Sequence, residues 1–265
     1  MTSEPRPQGE SHGTSFDITA PAGASAGLRL LYGTYAWLAL AVIVTPTAAL
    51  MLVTPGVMRR RALARRAARM FLAAIGSPVR AEGPDLEKGP CVVVANHASY
   101  LDGIILTAAL PPRFSFLIKH EMADVPFAGF ILRRLGSQFV DRESHRHRHR
   151  TARRLVAAAS DGGALAVFAE GTFDATPGLR AFQMGAFVAA WRGRTDVVPV
   201  AIRGSRRKLP EGAWLPAPGP LAVTLYAPLP ARAYADPQAL MAATRAAILA
   251  HLDEPDRAQS SPPQE

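Results

Sequence analysis

The sequence predicts an α/β domain with a mixed central sheet flanked by helices, preceded by an N-terminal helical segment associated with a membrane. Two observations predict this fold. Short apolar runs rich in β-branched residues alternate with helix-compatible segments from about residue 90 onwards. Ahead of them, residues 30–58 contain no charged side chain, and a stretch of this length can cross the hydrocarbon region of a bilayer.

The composition is that of a globular protein with a membrane element. The chain has 265 residues, of which 49% are hydrophobic, and its 30 Lys and Arg against 21 Asp and Glu give a net charge of +9. Neither a zinc-finger spacing nor an aromatic–basic RNA motif accompanies this charge, so we expect an anionic membrane surface rather than nucleic acid as the partner. The single cysteine, Cys91, excludes an internal disulfide and is expected to be a buried thiol.

The N-terminal segment is predicted to anchor the chain. Residues 1–27 are rich in small and polar residues, which predicts a disordered leader that lacks the pattern of a signal peptide. Residues 28–58 predict a membrane anchor, either a single span or, because Pro46 and Pro55 interrupt the run, a re-entrant helical hairpin. A buried core helix is the alternative interpretation.

Residues 59–75 predict a basic amphipathic helix at the membrane interface. Leu63, Ala67 and Met70 share one face, and six arginines occupy the rest of the segment. We expect Arg61 and Arg65, on the opposite face, to lie among anionic head groups. The alternative is a solvated basic face.

Residues 76–254 are predicted to form the α/β domain, and residues 255–265 a disordered tail. Apolar runs predict strands at 91–95, 114–118, 164–169, 197–202 and 221–226, with a further strand ending near Arg142. Helices are predicted from Ser99 to the Pro111–Pro112 pair, and at 125–134, 151–160, 185–191 and 237–252.

The stretch from Val92 to Asp102 contains the first candidate site. His97 follows the predicted strand at 91–95, and Asp102 falls five residues later in the first turn of the next helix. A carboxylate on one imidazole nitrogen fixes the tautomer and leaves the other nitrogen able to take a proton from a bound hydroxyl. The alternative is a histidine with its hydrogen bonds satisfied and a helix-capping aspartate.

Four motifs, in order over about residues 75–230, resemble those of the glycerolipid acyltransferases, the family of 1-acylglycerol-3-phosphate acyltransferase. The motifs are Asn96-His97-x4-Asp102; Gly136, Phe139 and Arg142; Phe168, Glu170, Gly171 and Thr172; and Val198-Pro199-Val200. Two positions depart from the third motif, because Ala169 stands where the family has Pro and Phe173 where it has Arg. The resemblance implies a fold like that of glycerol-3-phosphate acyltransferase.

The resemblance also implies a role for each matching residue. His97 and Asp102 would be catalytic, activating the acceptor hydroxyl. Backbone amides near Gly171 would stabilise the oxyanion, and Val198, Pro199 and Val200 would help to form the acyl-donor pocket. The residues that would bind the acceptor are Lys119, Arg142, Glu170, Gly171 and Thr172, with Arg180 as a hypothetical replacement for the missing arginine charge.

The function implied is transfer of a fatty acyl chain from acyl-CoA or acyl-ACP, as co-substrate, to the hydroxyl of a membrane lysolipid. The first expectation for the acceptor is 1-acylglycerol-3-phosphate, giving phosphatidic acid, and another lysophospholipid or an amino-acid lysolipid is the alternative. We expect no bound cofactor and no metal, and the cytoplasmic side of the inner membrane as the location. The sequence does not predict the oligomeric state.

Two features could suggest other functions. The His and Arg residues at 145–150 invite interpretation as a metal site, but interleaved cations repel a metal and the spacing suits no closed zinc site. Arg206, Arg207 and Lys208 are expected to meet phosphates of the donor or of lipid head groups. A metal-dependent hydrolase and a non-catalytic membrane lipid-binding protein are the rival functions from other classes.

Overall fold

The computed structural model describes residues 26–140 and 163–258. Its helices are α1 Ala26–Val53, α2 Val57–Ala74, α3 Asp102–Ala109, α4 Ala128–Arg134, α5 Gly185–Gly193, α6 Ser205–Lys208 and α7 Pro237–Leu249, with short 3-10 helices at His120–Ala123 and Ala231–Ala233. Its strands are β1 Ala81–Glu82, β2 Cys91–Ala95, β3 Phe114–Lys119, β4 Gln138–Val140, β5 Ala164–Phe168, β6 Asp196–Arg203 and β7 Ala222–Leu225. Helices flank one mixed sheet, as predicted.

The described strands form the sheet order β1-β7-β6-β2-β5-β3-β4. Only the β6–β7 pair is antiparallel, so the strands from β6 to β4 in this order run in the same direction. Their carboxyl ends therefore meet at one edge, where ligands bind in open α/β sheets. The residues that follow β2, β5 and β3, including His97, Glu170 and His120, lie along that edge.

Helices cover both faces of β2, which explains its uninterrupted apolar sequence. All five residues of β2 are buried. Val93 and Ala95 face a core that includes residues of α2 and α3, while Val92 and Val94 face a second core that includes residues of α5 and α7. A strand buried on both faces requires apolar side chains at every position.

Pro199 lies inside the sheet, in β6, between β2 and β7. Its carbonyl oxygen accepts a hydrogen bond from the Tyr226 N–H at 2.9 Å, on the β7 side of the strand. The proline nitrogen therefore also faces that side, just beyond the end of β7 at Leu225, and not the ladder with β2. This position explains how an interior strand accommodates a residue that cannot donate.

Helix α1 is one continuous helix that includes Pro46, so the chain does not reverse at that residue. The chain turns instead at Thr54–Gly56, where Pro55 precedes a glycine with φ of 79°. Length and composition would allow α1 to cross a membrane. Only 17% of its most apolar window is buried, which excludes the alternative of a buried core helix.

Helix α2 packs against α3, and this packing changes the role expected for its arginines. Arg61 donates to the carbonyl oxygens of Leu135 at 2.8 Å and Gly136 at 3.3 Å, after α4, and Arg69 donates to Ala108 at 2.9 Å in α3. Carbonyls at helix C-termini lack intrahelical partners and carry partial negative charge. The prediction that Arg61 lies among head groups is therefore wrong. Arg65 likewise contacts the carbonyl of Ala109, at 3.4 Å.

The C-terminal boundary also differs from the prediction. Residues 255–257, assigned to a disordered tail, are hydrogen-bonded to the loop after β5 through the carbonyl of Pro255 and the N–H of Arg257. The predicted leader up to residue 25, Arg142, the His and Arg run at 145–150, the helix at 151–160 and the last seven residues lie outside the described residues.

Candidate active site

His97 and Asp102 form the centre of the candidate site. Asp102 begins α3, and its carboxylate reaches back so that Oδ2 lies 2.9 Å from His97 Nδ1. A carboxylate can only accept, so Nδ1 carries the proton and Nε2 is left as the basic nitrogen. The His97 side chain is 18% exposed, whereas that of Asp102 is fully buried. This is the arrangement of a general base with an orienting carboxylate.

Two further donors hold Asp102 in place. Its Oδ2 also accepts the backbone N–H groups of Ala98 at 2.6 Å and Ser99 at 2.8 Å. These two N–H groups lie in the turn before α3, and Leu101, which precedes the helix, makes no side-chain cap bond. Asp102 therefore holds the turn that carries His97 and does not cap the helix.

Two buried polar side chains, Asn96 of the first motif and Ser99, fix the end of β2, a role that was not predicted. Asn96 pairs with the backbone of Ile202, donating through Nδ2 at 3.0 Å and accepting through Oδ1 at 2.7 Å. Ser99 donates its hydroxyl to the carbonyl of Leu209 at 2.8 Å. Both bonds tie the segment around His97 to β6 and to the chain that follows it. The position of Asn96 and Ser99 near His97 in the sequence was the signal that could have indicated this role.

Two aromatic rings contact the imidazole, and a third packs on one of them. Phe168, at the end of β5, stacks on His97 with ring centroids 4.2 Å apart and an angle of 17°. Phe173 contacts His97 with centroids 4.4 Å apart and also meets Tyr100 edge-on at 4.9 Å. The residue that departs from the third motif is thus in direct contact with the candidate base.

Glu170 is a buried structural group rather than an exposed acceptor ligand. It is 3% exposed, and its oxygens accept the backbone N–H groups of His97 at 2.6 Å and Arg180 at 2.7 Å. Burial raises the pKa of Glu170 to about 7, although the two N–H donors oppose that rise. The predicted contact with an acceptor hydroxyl is replaced by a bridge between His97 and the loop after β5.

Gly171, Thr172, Arg180 and Lys119, the other predicted acceptor residues that the structure describes, are placed less favourably for binding a phosphate. The N–H of Gly171, which has φ of 79°, donates to Phe168, so it is not directed at an oxyanion; Thr172 is exposed. Arg180 pairs with Asp174. Lys119 lies at the end of β3, two strands from β2, and pairs with Glu121 at 2.6 Å.

Val198, Pro199 and Val200 are brought into the sheet interior and not to an open pocket. All three are buried, and both valines belong to the core that includes residues of α2 and α3. The basic residues after β6 are also engaged. Lys208 is buried and donates to Ser77 Oγ at 2.5 Å, while Arg206 pairs with Glu254 at 2.9 Å. Both side chains therefore already have partners within the chain, and their contacts with phosphates stay a prediction.

Within residues 26–140 and 163–258, no group of three or more His, Cys, Asp or Glu side chains is placed to hold a metal ion. Cys91 is buried, as predicted, and burial raises the pKa of its thiol to about 11, so the nucleophilic thiolate is disfavoured. The chemistry that the geometry offers is proton transfer at His97.

In comparisons with known proteins, the chain is similar to acyltransferases. Residues 78–203 match the family model described as Acyltransferase. A 1-acyl-sn-glycerol-3-phosphate acyltransferase from Saccharomyces cerevisiae is 33% identical over 132 residues, covering 48% of this chain and 44% of that protein. A lysophosphatidylcholine acyltransferase from Drosophila melanogaster is 38% identical over 104 residues, 38% of this chain and 19% of that protein.

The fold has a solved counterpart. A crystal structure of a 1-acyl-sn-glycerophosphate acyltransferase from Thermotoga maritima superimposes with a TM-score of 0.70 and 20% identity, covering 85% of this chain and 95% of that one. The match to the two curated relatives spans less than half of their length. The family model and these relatives support a glycerolipid acyltransferase type for residues 78–203, a region that includes His97 and Asp102.

Proposed function

We propose that this chain is a membrane-bound O-acyltransferase that moves a fatty acyl chain from acyl-CoA or acyl-ACP to the hydroxyl of a lysolipid. The observation that carries the proposal is the 2.9 Å contact between His97 Nδ1 and the buried Asp102, which orients a partly exposed imidazole. The match of residues 78–203 to the family model supports this type of reaction. The carrier of the acyl group is left to experiment.

The reaction follows from this geometry. His97 Nε2 takes the proton of the acceptor hydroxyl while the hydroxyl oxygen attacks the carbonyl carbon of the thioester. The tetrahedral intermediate collapses, the C–S bond breaks, and the thiolate leaves with the proton that His97 carried. An ester and a free thiol are the products, and no acyl-enzyme forms. Asp102 stabilises the transient imidazolium and prevents the ring from turning.

The acceptor proposed first is 1-acylglycerol-3-phosphate, which is in the name of the yeast relative. Another lysophospholipid or an amino-acid lysolipid is the second proposal, and one observation favours it. Phe173 stands where the family motif has Arg and its ring contacts His97, while Arg180, the hypothetical replacement for that charge, is paired with Asp174.

The proposed organisation places a membrane anchor at residues 28–58 and the acyltransferase domain after it. Trp214 supports an orientation in which α1 faces lipid, since its side chain is 86% exposed and its carbonyl accepts the Trp37 indole N–H at 2.7 Å. Indole side chains prefer the membrane–water interface. We propose the cytoplasmic face of the inner membrane as the location.

The test is a panel experiment with the full chain reconstituted in lipid vesicles. Lysophosphatidic acid, zwitterionic lysophospholipids and an amino-acid lysolipid are each incubated with acyl-CoA and with acyl-ACP. Transfer to at least one acceptor, unaffected by a strong chelator, supports the proposal. Lipid binding without acyl transfer in every combination would favour a non-catalytic lipid-binding protein. Loss of activity on addition of the chelator would favour a metal-dependent hydrolase.

A further inference from the structure

The loop between β5 and α5, residues 169–184, contacts His97 at two points, Glu170 and Phe173. Phe173 covers one side of the imidazole, with ring centroids 4.4 Å apart, while Phe168 stacks on the ring as well. Glu170 accepts the backbone N–H of Arg180 through one carboxylate oxygen and the backbone N–H of His97 through the other. The position of this loop therefore determines both the ring and the backbone of the candidate base.

Asp174, the residue after Phe173, connects this loop to distant parts of the chain. Its carboxylate pairs with Arg180 within the loop and with Arg257 at 2.8 Å, near the C-terminus. Its carbonyl oxygen accepts from Arg206 of α6 at 2.7 Å. Three guanidinium groups thus meet at one residue directly beside the ring that covers His97.

The segment Glu254–Arg257, which we call the strap, runs alongside the same loop. Leu179 donates to the carbonyl of Pro255 and accepts from the N–H of Arg257, both at 2.9 Å, as in a parallel strand pair. Glu254 accepts the Gly178 N–H at 2.8 Å and pairs with Arg206. Gly178 suits this position, because its φ is 127° and a Cβ atom would come within 2.9 Å of the Pro255 carbonyl oxygen.

The arginine of α7 strengthens the attachment. Arg245 donates to the carbonyls of Leu179 and Arg180 and pairs with Asp256 of the strap. Each end of the loop segment 174–180 is therefore bound to the C-terminal part of the chain. None of these bonds is needed to close the sheet, since the strap lies outside β1–β7.

We propose that the strap, acting through Asp174, is a positioning element of the active site that holds Phe173 against His97. Clamped between Phe173 and Phe168, the imidazole keeps the orientation in which Nδ1 meets Asp102 and Nε2 faces the acceptor. Asp174 and Arg257 are positioning residues, because they act on His97 through Phe173. The expected loss of kcat rests on the proposed function. The expected change in the accessibility of His97 follows from the contacts alone.

The experiment compares Asp174→Asn, Arg257→Met and Phe173→Ala in the full chain reconstituted in vesicles. We expect each to lower kcat at least tenfold, while KM for the acyl donor stays within threefold of wild type. Arg257→Lys, which keeps a charge at that position, should recover part of the loss. The rate at which diethyl pyrocarbonate modifies His97, followed by peptide mass spectrometry, should rise severalfold in the first three variants.

The matched control is Asp236→Ala. Asp236 caps α7 by accepting the Ala239 N–H at 2.8 Å, so its loss lowers thermal stability without touching the loop. We expect this variant to lose stability while keeping the wild-type kcat and the wild-type rate of His97 modification. All measurements are made well below the melting temperature of the least stable variant.

The proposal is overturned if Asp174→Asn and Arg257→Met lose stability but keep wild-type kcat and wild-type modification of His97. If Asp174→Asn does not accumulate, Arg257→Met decides the question, since it removes only one partner of Asp174. If the wild type transfers no acyl group to any acceptor, the proposed function fails, and the modification rates still test the positioning claim separately.

Discussion

At the scale of single residues, one carboxylate both orients the base and organises the turn that carries it. Asp102 accepts from the His97 ring and from two backbone N–H groups through the same oxygen. The sequence predicted the pair from its spacing, because strand end and helix start lie within a few residues. It did not predict the role of Glu170, because a strand-end carboxylate can equally well bind a ligand or backbone amides.

Asp102→Asn should lower kcat by about 10²- to 10⁴-fold, the range typical of general acid–base contributions. The amide keeps the shape of the side chain but removes the negative charge that stabilises the imidazolium. Acyl transfer by the reconstituted variant measures the effect. Asp85→Asn, at an exposed carboxylate before β2, is the control and should keep wild-type activity. Equal activity of both variants would contradict the role of Asp102.

Glu170 should make the free energy of unfolding depend on pH between about 4.5 and 7. Its pKa in the folded chain is raised to about 7 by burial, so the folded state binds more protons than the unfolded state in this window. The stabilisation is present in full below the unfolded pKa and is lost as pH rises through 7.

Glu170→Gln should remove that pH dependence and cost about 1–3 kcal/mol, because the amide NH2 that replaces one carboxylate oxygen cannot accept from the N–H group facing it. Melting temperatures of both chains at several pH values in detergent provide the measurement. Identical slopes in wild type and variant would show that Glu170 does not titrate in this window.

At the scale of elements, strands were easier to predict than the roles of charged helices. β2 was predicted with its observed bounds because burial on both faces demands apolar residues throughout, and this pattern is local. The docking of α2 was not predictable, since carbonyls such as those of Ala108 and Leu135 become acceptors for Arg69 and Arg61 only after α3 and α4 fold. The strap was not predicted either, because its hydrogen-bond partners in the loop after β5 come close to it only in the folded chain.

Arg61→Ala and Arg66→Ala should therefore differ. Arg61 donates to three backbone carbonyls, so its loss should lower the free energy of unfolding by about 1.5–3 kcal/mol. Arg66 is exposed, and its loss should change stability by less than about 0.5 kcal/mol.

Binding to anionic vesicles should show the reverse order. Loss of Arg66 should weaken it about fivefold, corresponding to about 1 kcal/mol for one surface arginine, while Arg61→Ala binds as the wild type does. Denaturation in detergent and vesicle sedimentation measure the two effects. Equal vesicle binding losses would restore the original expectation that Arg61 contacts head groups.

At the scale of the whole molecule, the anchor and the loop bearing Trp214 form one apolar surface. Leu215, beside Trp214, packs so closely on α1 that a side chain at Gly33 would clash with it, and Leu38 and Val42 of α1 are exposed. The sequence predicted the apolar helix from its composition. It could not predict that a loop about 180 residues later would join the same surface.

Brominated lipids should quench the fluorescence of tryptophans that lie on this surface. The chain contains three tryptophans, so single-tryptophan variants with Phe at the other two positions can be compared. Trp37 and Trp214 should be quenched in vesicles, because they lie on the proposed lipid-facing side. Trp191, on α5 at the other face of the sheet, is the internal control and should not be quenched. Quenching of Trp191 alone would reverse the proposed orientation.

The central claim is that His97 activates an acceptor hydroxyl for attack on a thioester. The most direct measurement is acyl transfer by His97→Ala beside the wild type, both reconstituted in vesicles with the acceptor and donor that the wild type uses. The account predicts loss of transfer by at least about 10²-fold with unchanged folding and vesicle binding. Transfer at the wild-type rate by His97→Ala would contradict it.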